Sequence, residues 1–117
     1  MKLYIQSYNN FEITDTIDQF VKSKFSLLEK IVYDDSSECF VSLGRTTNHQ
    51  KQGEVYRVFV ELKKGKENFQ VEETHEDLYA AIDIAKDTIE YKITSQSQKK
   101  RSVFKKAAIA FKNLLRK

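Results

Sequence analysis

Residues 55–71 constrain the fold more than any other stretch of this chain. Val55, Tyr56, Val58, Phe59, Val60 and Leu62 make its strongest β signal, rich in β-branched and aromatic side chains. Lys63-Lys64-Gly65-Lys66 follows as a hairpin connection, with its glycine in place for a positive φ. Phe69 and Val71 then alternate with Gln70 and Glu72 in a returning strand. A hairpin alone is marginal in water, so its apolar face must be covered by other elements.

The flanking sequence supplies them. Leu3, Ile5 and Ser7 alternate with Tyr4, Gln6 and Tyr8 in a short first strand, and Phe40 and Val41 through Leu43 read as a second strand bounded by Gly44. Between these two strands, Ile17, Phe20, Val21, Phe25, Leu28 and Ile31/Val32 step by three and four. That spacing predicts an amphipathic helix of about four to five turns, with Thr14 or Asp15 as its cap. Asp34-Asp35-Ser36-Ser37 is turn chemistry, and Thr46 to Gly53 is a polar loop.

After the last strand, Thr74 or His75 precedes a second helix with Glu76 and Asp77 in its first turn. Its apolar positions are Leu78, Ala81, Ile82, Ala85, Ile89 and Ile93. Thr94 to Gln98 predict a break, because such side chains compete for backbone hydrogen bonds. A last amphipathic segment carries Val103, Phe104, Ala107, Ala108, Phe111, Leu114 and Leu115. The expected class is α+β: a two-layer β-α-β-β-β-α domain over residues 1–98, a four-stranded sheet with two helices on one face. A basic amphipathic C-terminal helix over 99–117 completes it.

Charge divides the chain at the same place. Lys99, Lys100, Arg101, Lys105, Lys106, Lys112, Arg116 and Lys117 are eight of its twenty basic residues, and the segment holds none of the seventeen acids. Residues 1–98 therefore carry a net charge of −5 and the tail +8. Such a tail attracts a polyanion, and nucleic acid and anionic membrane are the two candidates.

Catalytic classes find little support. Three scattered glycines provide no phosphate-cradling loop, and one cysteine with two histidines gives no metal-ligand spacing. Cys39 has no evident base partner and reads as a buried, inert thiol suited to a reducing compartment. His75-Glu76-Asp77 reads as a helix start rather than an acid–base or metal site. No signal peptide or membrane-spanning run is visible, so the expected location is the cytoplasm. No enzyme activity, cofactor, metal or small-molecule substrate is expected.

His75-Glu76-Asp77-Leu78-Tyr79-Ala80-Ala81-Ile82-Asp83, entering a long helix after a strand ending in Glu72-Glu73, resembles the matching segment of the ribosome hibernation-promoting factors, the family that includes the ribosome-associated translation inhibitor. The opening strand leading to Glu12-Ile13-Thr14, the helix ending Leu27-Leu28-Glu29-Lys30 and the strand from Gly53 to Leu62 match in the same order, over about residues 1–98. The resemblance implies a non-catalytic protein on the small ribosomal subunit, bound to 16S-type rRNA. There it occupies the channel of mRNA and tRNA and idles ribosomes under stress.

Carried onto this sequence, the resemblance points to Lys24 and Lys30 on the first helix, with Lys22 on the same exposed face. On the second helix it points to Lys86 and Lys92, with Thr88 and Tyr91 where further basic residues are usual. Lys99, Lys100 and Arg101 begin where the family's second helix ends. A separate C-terminal dimerisation domain of the long family members has no counterpart here, so pairing of ribosomes by that route is not expected.

Competing readings remain open at this level. A double-stranded-RNA module shares the strand triplet and following helix, but it starts with a helix and lacks the first strand. A membrane or protein-interaction adaptor acting through the tail is the other alternative. The tail's apolar stripe has three possible occupants: the body's own surface, an anionic membrane or another protein. Tyr4, Tyr8, Phe11, Tyr56 and Tyr79 read as packing in preference to a base-stacking platform, and Lys63, Lys64 and Lys66 as a solvated hairpin.

Overall fold

A computed structural model describes the chain at residues 1–46 and 55–115, with side chains through residue 96. Its elements are β1 (Lys2–Ser7), α1 (Asp15–Phe25), a 3₁₀ turn (Ser26–Leu28), α2 (Glu29–Val32), β2 (Glu38–Arg45), β3 (Tyr56–Lys64), β4 (Glu67–His75) and α3 (Leu78–Leu115). The four strands form one sheet in the order β1-β2-β3-β4. β1 and β2 are parallel and the other pairs antiparallel, as the α+β reading requires.

One face of the sheet is dry. Cys39, Val41 and Leu43 stand beside Leu62, Val60 and Val58 in register, and Val60 stands beside Val71. The helices cover this face with Val21, Phe25, Leu28, Ala81, Ile82, Ala85 and Ile89, all fully buried. Period-two strands and three-four-spaced helices thus meet in one core. The other face is open, and Tyr4 stacks there on Phe40 at 5.0 Å.

Local chemistry sets the element boundaries. Gly65 (φ +58°) opens the two-residue turn that joins Lys64 to its partner Glu67, as the sequence predicts. Asp34 accepts from the backbone N–H and the hydroxyl of Ser36, which holds its carboxyl below the usual range. Thr14 Oγ1 caps α1 by accepting from Ile17 N at 3.3 Å.

Four expectations need correction. The first helix is not uniform: it tightens into a 3₁₀ turn at Ser26–Leu28. Ser23 and Ser26 donate their hydroxyls to the carbonyls of Phe20 and Ser23 there, giving the backbone oxygens a competing partner. Gly44 does not end β2 but lies within it. A Cβ at this position would meet the Tyr8 ring at 2.6 Å, so the glycine serves close packing rather than a turn.

Thr74 and His75 belong to β4, and α3 starts at Leu78. Asp77 is its cap: Oδ1 accepts from Tyr79 N at 3.0 Å and the carbonyl accepts from Ala81 N. His75 Nδ1 in turn accepts from Asp77 N at 2.9 Å, so the trio is a helix start, with its acids before the first turn instead of in it. Finally, no break separates a second helix from a third. α3 continues for 38 residues, about 57 Å at 1.5 Å per residue. Thr94 Oγ1 donates back to the carbonyls of Glu90 and Tyr91, so it bonds inside the helix without interrupting it.

Candidate nucleic-acid interface

The topology gathers chain segments at one end of the sheet. β1 starts at Lys2, opposite Glu38, and Glu38 stands opposite Lys63 next to the β3–β4 turn. Because β1 and β2 are parallel, α1 and α2 must run back toward this end, and Ser37 O accepts from Lys2 N at 2.8 Å to close the loop. α3 runs back along β4 to the same place. Lys30, Lys64, Lys66 and Lys92 therefore share one pole, which also carries Asp34 and Asp35.

The sequence-predicted basic residues differ sharply in their surroundings. Lys22 pairs with Asp18 at 2.8 Å on the wet face of α1. Lys24 reaches across to Asp83 of α3 at 2.9 Å and lies 5.5 Å from the Phe20 ring, which meets Tyr79 edge-on at 4.9 Å. Phe20 with Lys24 and Tyr79 with Asp83 thus form two facing i,i+4 pairs that join the helices.

Lys86 is nearly buried. It donates to Glu90 at 2.6 Å and lies 3.6 Å from Asp87. The Glu90 bond, against the opposing effect of burial, raises its pKa and keeps it charged. Three of the five predicted body lysines are therefore neutralised by neighbouring carboxylates before any partner arrives.

Lys30 makes no hydrogen bond or ion pair among the described residues. Lys92 donates to the Gln70 carbonyl at 2.8 Å, a neutral acceptor that leaves its charge uncompensated. Lys99, Lys100 and Arg101 lie within α3, but their side chains fall outside the described residues, as does His49. Lys66, which the sequence suggests as hairpin solvation, makes no ion pair among the described residues and lines, with Lys92, a notch between β4 and α3. Charge spacing along one helix reveals the i,i+4 pairs Lys22–Asp18 and Lys86–Glu90, but not Lys24–Asp83 or the joint placement of Lys66 and Lys92, which depend on neighbours across the fold.

The aromatics are dispersed as packing. Phe11 meets Tyr56 edge-on at 6.0 Å and Tyr79 meets Phe20, away from the Tyr4–Phe40 pair. Among the described residues, no group of three or more His, Cys, Asp or Glu side chains could hold a metal. No helix there is long and apolar enough to cross a membrane. Burial pushes the Cys39 thiol up to about 12, from 9.0. A three-unit rise leaves about a thousandfold less thiolate at pH 8. Native protein is expected to label with a thiol reagent at least that much more slowly than urea-unfolded protein; equal rates would contradict the burial.

Comparison with known proteins agrees with the architecture. Residues 4–101 match the family model described as Sigma 54 modulation protein / S30EA ribosomal protein. The N-terminal domain of Protein Y from Thermus thermophilus is similar at 31% identity with a TM-score of 0.65, covering 80% of this chain and 96% of that one. A ribosomal subunit interface protein from Coxiella burnetii shares the fold at 11% identity and a TM-score of 0.63, covering 84% of this chain and 99% of that one. No curated protein sequence matches this chain. With the match covering most of β1, all of α1, α2 and β2–β4, and α3 as far as residue 101, the chain belongs to the Sigma 54 modulation protein / S30EA ribosomal protein family.

Proposed function

We propose that this protein binds the small ribosomal subunit through its 16S-type rRNA, occupies the channel used by mRNA and tRNA, and holds ribosomes idle under stress without catalysing a reaction. The family match over residues 4–101 is the observation that carries this reading. The pole described above adds a physical route: Lys30 and Lys66, without an ion pair among the described residues, and Lys92, bonded only to a neutral carbonyl, suit RNA phosphates and require no base sequence. Residues 1–98 act as the ribosome-binding domain. The basic segment 99–117 extends the grip. Localisation follows the partner, in the cytoplasm.

Sedimentation tests the proposal. Purified protein is layered with small subunits, and separately with anionic liposomes, over a salt series. Co-pelleting with subunits is expected, weakening steeply as salt rises because each neutralised phosphate releases counterions, together with inhibited translation in a cell-free system. Pelleting with liposomes alone would sink the ribosome reading in favour of a membrane adaptor.

A further inference from the structure

Between the β4 edge and α3 lies an open notch of about 620 Å³, within the size range of ligand clefts. Lys66 and Asn68 line it from the hairpin side, and Tyr91, Lys92, Ser95 and Gln96 from the helix. We propose that this notch is a subsite for single-stranded RNA, with phosphates on Lys66 and Lys92 and a base stacked on Tyr91. The inference deepens the proposed function and rests on it for the choice of RNA as partner.

Each lining group has a reason to serve. Tyr91 is 72% exposed, far more than packing requires, and presents a ring on which any base can stack. Lys92 is held in place by its bond to the Gln70 carbonyl on edge strand β4 and keeps two further N–H donors for a phosphate. Lys66 follows Gly65 in the turn and has no partner among the described residues. The one acid in the lining, Glu67, stands opposite Lys64 across the hairpin.

Ser95 and Gln96 bring a hydroxyl and an amide, the groups that read base edges and 2′-hydroxyls, whereas the Asn68 amide is already donated to Glu61. A single strand suits this arrangement better than a duplex, whose bases are already stacked and unavailable to Tyr91.

The test uses the full chain with a fluorescent twelve-nucleotide oligouridylate and, separately, a twelve-base-pair RNA duplex. Tyr91→Ala is expected to weaken oligouridylate binding about tenfold while Tyr91→Phe retains it, because stacking needs the ring and not the hydroxyl. Lys66→Glu is expected to lower affinity and reduce the salt slope by about one. Photo-crosslinks from 4-thiouridine should fall within residues 66–69 and 91–96. Wild-type affinity in both Tyr91→Ala and Lys66→Glu, or crosslinks confined to 99–117, overturns the notch. Small-subunit sedimentation is read in parallel. Wild type that fails to pellet defeats the ribosome reading, whereas wild type that pellets beside unaffected notch variants defeats only the subsite.

Discussion

Deleting residues 99–117 is expected to weaken binding to the small subunit by about two orders of magnitude near 0.1 M salt and to flatten its salt dependence. The deletion removes eight basic residues and no acid, taking the net charge from +3 to −5. Log affinity falls with log salt by about 0.7–0.9 per phosphate neutralised, so losing about four contacts lowers the slope by about three. Sedimentation at four or more salt concentrations gives that slope directly. The fold should survive, because every core residue among the described residues lies at or before Ile93. An unchanged slope would mean that the tail does not touch RNA. Its apolar stripe would then point to a protein partner or a membrane.

Phe25→Ala is the largest expected loss of stability, about 3–5 kcal/mol, from burial given up and a cavity left behind. A chain of 117 residues has roughly 6–18 kcal/mol in total at about 0.05–0.15 per residue, so this is a large fraction. Phe25 is fully buried at the end of α1, where the helix tightens, and Leu28 and Val32 pack into the same core. The urea midpoint should fall with the slope of the transition unchanged. A cost below about 1 kcal/mol would mean that the 3₁₀ turn collapses into the space. RNA binding per folded molecule should be unaffected, since Phe25 lies beneath the helices and not at the pole.

These two predictions draw on information of different kinds. The tail is legible in the sequence because charge is additive and needs no fold to be counted. Phe25 is legible because its spacing from Val21 and Leu28 marks the apolar side of a helix. The exceptions are equally physical. Gly44 reads as a strand end, since nothing nearby in sequence reveals the Tyr8 ring that crosses it. Thr94 reads as a helix breaker, because its hydroxyl can serve either conformation and helical context decides.

The candidate site was less legible than the fold. Lys22, Lys24, Lys30, Lys86 and Lys92 look alike in sequence, as five exposed charges on two helices. Lys24 meets Asp83 only because α1 and α3 are neighbours, and Lys92 meets Gln70 only because α3 returns along the sheet edge. Lys66 joins Lys92 for the same reason.

The sequence by itself determined the order of strands and helices, the hairpin at Gly65 and the concentration of positive charge after residue 98. Those follow from side-chain periodicity and composition, which act over a few residues. Tertiary structure alone decided that Lys24 is spent on Asp83 and that Lys92 meets only a neutral carbonyl among the described residues, and it formed the notch between β4 and α3. A cation's availability depends on what stands within a few ångströms of it, and for Lys24, Lys66 and Lys92 those neighbours come from distant parts of the chain.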